Sequence, residues 1–465
     1  MAGRTAVTRR LAGRTVTVVR AAVGDPARGV VVGFAVAIVL GTVLLRLPVA
    51  HEAGMGTDVV TALFTATSAV CVTGLVVVDT AGHWSAFGEV VILALIQVGG
   101  IGIMTLSALL ALLVTRRIGL RMQLRTQNES RAPALSDARS VVRRVVLVSL
   151  GIELVVSVAL TARFTAYTPD LGRALWLGVF HGISAFNNAG FGLYPDSLVR
   201  FVGDPWIQLP IVVAVVLGGL GFPVLFEIGR RLMAERRQVR RRASLHVRLT
   251  VLTYGALLVV GITGITALEW GNAATFGPLS VPGKLLAGLT SGVMPRTAGF
   301  NVVDVGGFTP ATLLVHDVLM IIGGGSAGTA GGIKVTTLAV LAGAVLAEAR
   351  GEPTIHLLGR RVPSETVRQA LVVSALAVSL VVTGTLTLLL VTGLSLDSVL
   401  FETISAIGTV GLSTGITADL PPGGRLVLVA LMFLGRLGPI TLASALALRD
   451  RPRRYERAEE RPVIG

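Results

Sequence analysis

Charge, cysteine and clustered metal ligands are all scarce in this sequence, and each scarcity excludes a class of protein. Charged residues make up 14 % of the 465 residues, whereas apolar residues make up 52 % and the mean hydropathy is +0.77. Cys71 is the single cysteine, which excludes an internal disulfide. The six histidines are scattered without paired spacing and give no support to zinc or other transition-metal chemistry. What remains is the composition of a membrane protein.

Long apolar runs recur in pairs along the chain. About 20 apolar residues cross the hydrocarbon core of a bilayer, and a half-length apolar segment, such as Asp58–Val70, separates the two members of each pair. The sequence therefore predicts an all-α polytopic membrane protein with eight spans and four half-length segments. The predicted spans are about 30–49, 90–114, 141–161, 206–228, 249–268, 312–346, 371–392 and 426–448.

One short pattern occurs four times and ends each half-length segment. The final glycines of its copies lie 116, 109 and 112 residues apart. A fixed internal period is the mark of a repeat architecture, so we predict four re-entrant loops that form the walls of one central pore. The copies are Ser68–Gly74, Ser184–Gly190, Val293–Gly299 and Ser405–Gly411.

A second glycine pattern keeps step with the first. A glycine cluster follows each loop glycine by 25, 28, 24 and 24 residues, inside the second apolar run of the pair. Glycine clusters in apolar helices usually mean close helix packing. Two motifs repeating in phase make the fourfold repeat the strongest inference from the sequence. The clusters begin at Gly99, Gly218, Gly323 and Gly435.

The basic residues are confined to a few segments. Although the formal net charge is +15, 32 of the 41 Lys and Arg residues lie before the first span, after each second span or in the tail. The positive-inside rule places these segments and both termini in the cytoplasm. The positive charge therefore reflects membrane topology, and we expect no nucleic-acid partner. The predicted organisation is an N-terminus at 1–28, repeats at 29–115, 141–230, 249–348 and 369–448, linkers at 116–140, 231–248 and 349–368, and a tail at 449–465.

The chemistry of the repeated loops suits a cation. Thr57 and Ser395 are predicted N-caps of two half-length helices, whose positive ends Asp58 and Asp397 complement. Each helix would direct its negative C-terminal end toward the bilayer centre, where non-helical backbone must face protein or water. The loop residues are small, so backbone carbonyls can replace the water shell of a cation. Four hairpins that serve only packing are the alternative.

The glycine-rich stretch 323–332 interrupts the second apolar run of repeat 3. Its G-x-G-x-x-G spacing is a weak dinucleotide signal inside a predicted span, so we expect no organic cofactor. The 37 residues of Ala311–Ala347 would form a helix of about 55 Å, against a hydrocarbon core of about 30 Å. We therefore predict that this stretch, with Lys334 just beyond it, is unwound and forms a gate beneath the loops.

Several charged residues lie within the apolar runs, where a charge is costly and faces a cavity or a partner. Arg436 replaces the second glycine of its cluster. It is either a fixed positive charge beside the pore or half of a buried ion pair with Glu402 or Glu227. Arg296 is predicted to brace the third loop from behind, with Glu402 as a candidate partner. Glu153 has no predicted partner.

Together these motifs resemble the superfamily of Trk, Ktr and HKT potassium transporters, most closely the membrane subunit of bacterial Ktr systems. The resemblance runs from about Gly29 to Leu448 and includes Gly-Gly-Ile-Lys334 and Gly435-Arg-Leu-Gly-Pro439. It implies repeats of a membrane helix, a pore helix with a filter loop, and a second membrane helix around a pseudo-fourfold pore. It also implies K+ uptake across the bacterial cell membrane by a multi-pass homodimer. A cytosolic ring of nucleotide-binding RCK/KTN-type regulatory subunits would control it, with Na+ as a candidate activator.

The resemblance also assigns functional residues by motif. The third loop departs from the pattern, because Met294-Pro295 precedes Arg296 and the Ser-Ala of the other loops is missing. The predicted filter, which binds K+ through backbone carbonyls, comprises Val72, Thr73, Gly74, Asn188, Ala189, Gly190, Thr297, Ala298, Gly299, Thr409, Val410 and Gly411. The predicted gate, in a loop at 323–333 and beside it, comprises Gly323, Gly324, Gly325, Ser326, Gly328, Thr329, Gly331, Gly332, Lys334 and Arg436.

Two other functions compete with selective K+ uptake. Within the superfamily, a sodium-permeable or poorly selective cation pathway is the alternative, although all four loops keep the glycine that accompanies K+ preference there. From another class, a polytopic enzyme acting on anionic lipid would need a cluster of His, Asp or Glu near one membrane face. The sequence has no such cluster, so we predict that the protein is not an enzyme.

Overall fold

The structure of the chain is a computed structural model that describes the backbone of residues 26–123, 135–236 and 243–448. It describes the side chains of residues 29–108, 139–233 and 243–438. The predicted tail, nearly all of the predicted N-terminal segment and parts of the first two linkers lie outside the described residues. The described chain follows the predicted all-α plan, in which each repeat has a first long helix, a short helix with a loop, and a second long segment.

The helices of repeats 1 and 2 are α1 (Pro26–Leu45), α2 (Val59–Val70), α3 (Thr80–His83), α4 (Ala86–Gln123), α5 (Leu135–Phe164), α6 (Leu171–Phe186), α7 (Pro205–Leu220) and α8 (Phe222–Arg236). Those of repeats 3 and 4 are α9 (Leu245–Glu269), α10 (Val281–Val293), α11 (Pro310–Ile321), α12 (Val335–Ala349), α13 (Ser364–Thr392), α14 (Leu396–Gly408) and α15 (Pro422–Leu448). A two-stranded hairpin, β1 (His356–Leu357) and β2 (Arg360–Arg361), connects α12 to α13.

The long helices turn apolar side chains outward. Leu390 on α13 is 79 % exposed and Val155 on α5 is 70 % exposed, which water would disfavour and lipid accepts. By contrast, nine of the twelve residues of α2 are buried. The short helices therefore form the core, and the long helices surround them with a surface that suits lipid.

The second long segment of repeat 2, which the sequence predicts as a span at about 206–228, is bent. The axes of α7 and α8 differ by 102° at Gly221, whose φ is +90°. A Cβ added at Gly221 would lie 2.4 Å from the carbonyl oxygen of Ser326. The bend thus depends on a glycine that accepts both a left-handed backbone and close contact with the glycine-rich stretch of repeat 3.

The second long segment of repeat 3 is interrupted where its length predicts. The helix α11 ends at Ile321 and α12 begins at Val335. The residues between them, 322–334, are named the hairpin loop here, because a parallel bridge joins Ile322 to Ile333 at its two ends. Two hydrogen bonds of 2.9 Å, from Gly323 N–H to the Ile333 carbonyl and from Ile333 N–H to the Ile321 carbonyl, close the base of this loop.

Length and hydropathy identify fewer uninterrupted spans than the eight predicted ones. Among the described residues four helices qualify, and a fifth if the bent pair α7 and α8 is counted as one span. The other predicted spans correspond to α1, to the interrupted pair α11 and α12, and to α15. The chain is a multi-pass membrane protein whose repeats share a plan but differ in the continuity of their second helices.

Three of the four short helices that precede the loops, α2, α6 and α10, begin at a residue whose side chain caps the helix. The Asp58 carboxylate accepts the N–H groups of Val60 at 3.1 Å and Thr61 at 3.4 Å and is the N-cap of α2. The prediction of Thr57 as this N-cap is wrong, because the carboxylate one residue later supplies the acceptor. Ser395 does occupy the N-cap position of α14, but its side chain makes no capping hydrogen bond.

Candidate ion pathway

The four loop glycines meet in a closed ring. Each has a positive φ, between +69° and +94°. A Cβ added at any of them would lie 2.2 to 2.7 Å from a carbonyl oxygen of the next loop, so only glycine fits. The pairs run in order around one axis and return to the start: Gly74 with Ala189, Gly190 with Ala298, Gly299 with Val410, and Gly411 with Thr73.

A second left-handed residue stands two positions before each glycine. These residues have φ between +50° and +69° although none is glycine, a conformation that costs free energy and concentrates at functional sites. Left-handed residues two positions apart turn successive peptide planes in alternating senses, which allows several carbonyls to face one axis. The residues are Val72, Asn188, Thr297 and Thr409.

The serine that begins the pattern braces its loop in three repeats. Its carbonyl accepts, at 2.8 Å, the N–H of the residue before the loop glycine. The hydroxyls of Ser68 and Ser405 also accept the N–H of their loop glycines at 3.1 Å, whereas the Ser184 hydroxyl donates to the Phe191 carbonyl at 2.7 Å. These bonds hold the strained backbone of each loop in place.

Repeat 3 has Val293 in place of this serine and is braced by Arg296. The guanidinium is fully buried and donates to the carbonyls of Ile322, at 2.6 Å, and Leu257, at 3.4 Å. The contacts agree with the predicted position behind the loop. The predicted partner, Glu402, is wrong, because backbone carbonyls at the start of the hairpin loop and on α9 take its place.

The carboxylates proposed as partners of Arg436 are engaged elsewhere, so the ion-pair alternative is also wrong. Glu402 accepts a hydrogen bond from the Thr417 hydroxyl. Glu227 accepts the Ser244 hydroxyl at 2.6 Å and the Ser244 N–H at 2.7 Å. In the described side chains neither carboxylate forms an ion pair with Arg436, whose guanidinium instead donates to a backbone carbonyl.

The glycine clusters explain how the second helices approach the loops. A Cβ added at the first glycine of the cluster would lie 2.0 Å from a carbonyl oxygen at the C-terminal end of the short helix in repeats 1, 2 and 4. Any side chain would therefore push the second helix away from the pore. The pairs are Gly99 with Val70, Gly218 with Phe186, and Gly435 with Ile407.

The hairpin loop lies directly beneath the ring. A Cβ added at Gly331 would lie 2.2 Å from the Thr409 hydroxyl of loop 4. On the opposite side, the Thr329 hydroxyl donates to the Asn188 side-chain carbonyl of loop 2 at 3.0 Å. The Thr329 N–H also donates to the Gly218 carbonyl at 3.1 Å. The loop thus spans the pathway from repeat 2 to repeat 4.

Two cations hold the hairpin loop in this position. The Arg436 guanidinium donates to the Thr329 carbonyl at 2.5 Å, and Arg436 is only 4 % exposed. The Lys334 ammonium donates to the Ala330 carbonyl at 2.5 Å. Both side chains line a small cavity beneath the loop, so positive charge faces the path that a cation would take.

An open vestibule lies above the ring, on the side opposite to the hairpin loop. All four loop glycines line its floor, and Asp79 is the acidic side chain in its wall. The ring therefore separates a vestibule from the hairpin loop, which is the order of parts that a gated pore requires. The other polar side chains of the wall are Thr80, Tyr194, Ser197, Asn301, Ser413 and Thr417.

The structure brings the sequence-predicted residues together in two layers. The predicted filter residues lie in the four loops around the ring, and the predicted gate residues lie in or against the hairpin loop. Sequence reasoning missed the contact between Asn188 and Thr329, and it missed Gln97 as a neighbour of the buried Glu153. Polar side chains within apolar runs are the signal that would have identified the second pair.

Four short helices whose loops close one ring define a membrane protein with a single central pore. A family model with the description "TrkH: Cation transport protein" matches residues 11–452, and the chain therefore belongs to the TrkH family of cation transport proteins. This membership confirms the resemblance seen in the sequence and places the chain among transporters rather than enzymes.

Relatives match over nearly their whole length. The chain is 38 % identical to "Ktr system potassium uptake protein B" of Bacillus subtilis over 91 % of this chain and 93 % of that protein. It is 32 % identical to "Potassium/sodium uptake protein NtpJ" of Enterococcus hirae over 95 % of this chain and 97 % of that protein. The crystal structure of the potassium transporter TrkH from Vibrio parahaemolyticus superposes with a TM-score of 0.68 at 19 % identity, covering 90 % of this chain and 86 % of that chain. This last likeness concerns the fold.

Proposed function

We propose that this chain takes up K+ through the central pore, with backbone carbonyls as the ion ligands. The observation that carries the proposal is the closed ring, in which each loop glycine lies against a carbonyl of the next loop. Carbonyl rings replace the hydration shell of K+ in selectivity filters. The names of the relatives, which include potassium uptake proteins, support the same ion.

The proposed filter is built from backbone rather than from charged side chains. Three residues per loop, ending in Gly74, Gly190, Gly299 and Gly411, supply the carbonyls. The short helices end at these loops, so the negative ends of their dipoles favour a cation at the ring. K+ is the transported ion in this proposal, and no organic cofactor takes part.

The hairpin loop is the proposed gate. It lies beneath the ring and is held by Arg436 and Lys334, so an ion leaving the filter meets a closed loop and two positive charges. Opening requires the bond between Arg436 and the Thr329 carbonyl to break. In a Ktr-like system, a cytosolic ring of nucleotide-binding subunits would drive this step on a homodimer in the bacterial cell membrane, with both termini in the cytoplasm.

Sodium permeation is the second candidate function. The relative from Enterococcus hirae carries both potassium and sodium in its name, and it matches 95 % of this chain. A carbonyl filter that is slightly too flexible would admit the smaller ion. Na+ as an activator of K+ uptake is a separate proposal. The effect of Na+ on rubidium uptake, described next, tests it.

Rubidium uptake in cells that lack their own K+ systems tests the function. We expect saturable 86Rb+ uptake that K+ abolishes and that excess Na+ inhibits weakly. Gly190→Ser should weaken the preference for K+, whereas Gly102→Ala should not, since the nearest atom to a Cβ at Gly102 is 3.9 Å away. Equal competition by Na+ and K+ in the wild type would favour the sodium-permeable alternative, and absence of uptake would contradict both candidates.

A further inference from the structure

A buried carboxylate behind filter loop 2 is unexplained by the pathway itself. Glu153 lies on α5, is only 3 % exposed and faces no described cation. Its carboxylate accepts the Gln97 amide of α4 at 2.8 Å and the Asn187 amide at 3.0 Å. Burying such a group is costly unless its hydrogen bonds are satisfied, and this arrangement satisfies both carboxylate oxygens.

Asn187 links this cluster to the filter. It ends α6 and immediately precedes Asn188, whose φ is +58°. The Asn187 amide donates to Glu153 at 3.0 Å, to Gln97 at 2.9 Å and to the Ile183 carbonyl at 3.0 Å, so both of its hydrogens are engaged. Asn187, at the entrance to the strained loop, is therefore fixed by two neighbouring helices, α4 of repeat 1 and α5 of repeat 2.

The helix register explains why Glu153 reaches this point. The helices α5 and α6 pack antiparallel through small residues: a Cβ at Gly178 would lie 2.1 Å from the Thr161 hydroxyl, and one at Gly182 would lie 2.4 Å from the Ser157 hydroxyl. One turn further along both helices, the same register brings Glu153 beside the end of α6. The position of the carboxylate is thus fixed by packing.

The glycine cluster of repeat 1 makes room for the same side chain. A Cβ added at Gly100 would lie 1.9 Å from the Asn187 side-chain oxygen. Gln97 lies one turn before Gly100 on α4, which directs its amide to Glu153 and Asn187. Gly100, the second glycine of this cluster, therefore leaves room for the Asn187 side chain that braces loop 2 in the neighbouring repeat.

The corresponding positions of the other loops show that this brace is specific to repeat 2. The fourth residue of the loop pattern is Cys71, Asn187, Arg296 and Gly408 in the four repeats. Only Asn187 and Arg296 have side chains long enough to reach neighbouring helices, and Arg296 uses backbone carbonyls. Loop 2 alone is tied to a carboxylate within the described side chains.

We propose that Glu153, together with Gln97, is a positioning residue that sets ion preference by fixing filter loop 2 through Asn187. The inference rests on the proposed function of the loops as a K+ filter. Without this brace, the backbone carbonyls of loop 2 move away from the positions that bind K+, and discrimination between K+ and Na+ decreases. Glu153 itself touches neither the ion nor the ring.

The test measures 86Rb+ uptake and its inhibition by Na+ for Glu153→Gln, which keeps the size of the side chain but presents an amide to the Gln97 amide. We expect a rise in KM and a decrease in the K+ to Na+ preference, each by about three- to tenfold, at an unchanged amount of protein. Gln97→Met should cause the same changes in KM and ion preference. It replaces Glu153→Gln in the test if that variant does not reach the membrane.

A double-mutant cycle separates positioning from general stabilisation. If Glu153 acts through Asn187, adding Glu153→Gln to Asn187→Leu changes KM and ion preference no further. The matched control is Glu269→Gln, because Glu269 is also a fully buried carboxylate, bonded to Thr275 and Thr312, but contacts no loop of the ring. It should lower heat stability and leave ion preference unchanged.

Two results would overturn the proposal. One is a Glu153→Gln protein whose folded fraction keeps the wild-type KM and ion preference, as expected for Glu269→Gln. The other is full additivity with Asn187→Leu. Gly190→Ser, measured in the same assay, distinguishes failure of the brace from failure of the filter. If Gly190→Ser changes ion preference while the Glu153 variants do not, only the brace is wrong. If Gly190→Ser also leaves ion preference unchanged, the proposed filter is wrong.

Discussion

All four repeats have the same glycine geometry at the ring, whereas repeat 3 differs from the others in the brace of its loop and in the segment beneath the ring. In each repeat the loop glycine has a positive φ and lies against a carbonyl of the next loop. Only repeat 3 lacks the bracing serine, and only its second long segment is opened by a loop of thirteen residues, 322–334. The comparison shows that the four repeats stay equivalent at the ring of loop glycines and differ at the hairpin loop, which is the gate in our proposal.

The glycine clusters express the same difference in packing. In repeats 1, 2 and 4 the first glycine of the cluster lies against the end of its own short helix. In repeat 3 a Cβ at Gly323 would instead lie 1.9 Å from the carbonyl oxygen of Gly331, within the hairpin loop. Repeat 3 thus has a loop that closes on itself where the other repeats have helix packing, and Arg296 supports loop 3 in place of the serine.

The largest effect is expected from adding a side chain to the ring. A serine would place its Cβ close to a carbonyl oxygen of the next loop. The distance is 2.2 Å at Gly411, 2.4 Å at Gly74, and 2.7 Å at Gly190 and Gly299. We expect all four variants to weaken the preference for K+ over Na+, with the first two affected most, in an uptake assay with Na+ competition. Variants that keep the wild-type preference at all four positions would contradict the carbonyl ring.

The next effect tests the packing of the second helices. Gly435→Ala would place a Cβ 2.0 Å from the Ile407 carbonyl, whereas no atom of the described side chains or backbone lies within 4 Å of a Cβ at Gly438, three residues along the same helix. Overpacking of this kind costs about 1–3 kcal/mol. We expect Gly435→Ala to lower the yield and melting temperature of the detergent-purified protein and Gly438→Ala to leave both unchanged. Equal behaviour of the two variants would remove the distinction drawn between the cluster glycines.

A smaller, functional effect is expected at the contact between repeat 4 and the hairpin loop. Arg436→Ala removes both the bond to the Thr329 carbonyl and a positive charge beside the path of the ion. We expect faster uptake at saturating Rb+ from an unchanged amount of protein, because the loop is released and the local repulsion of a cation is relieved. Arg436→Lys keeps the charge and therefore separates the two causes. Uptake at the wild-type rate in Arg436→Ala would place the gate elsewhere.

The repeats and the order of parts could be predicted from the sequence because they depend on local properties. Apolar run length, glycine spacing and the excess length of 311–347 are read along the chain. Partners of buried charges could not be predicted in this way, since they depend on which helices meet in space. Arg436 and Arg296 both bind backbone carbonyls, which every residue offers, so no sequence pattern distinguishes those partners from Glu402. The 102° bend at Gly221 is likewise set by contact with a loop of another repeat.

The smallest expected effect compares the caps of two short helices. The Asp58 carboxylate accepts two backbone N–H groups at the start of α2, whereas the Ser395 side chain caps none at the start of α14. Loss of an N-cap costs about 1 kcal/mol. Asp58→Ala should therefore lower the melting temperature of the purified protein by a few degrees, while Ser395→Ala should have no measurable effect. Because both positions lie away from the ring, ion preference should stay the same in both variants. A larger loss of stability in Ser395→Ala than in Asp58→Ala would contradict the cap assignment.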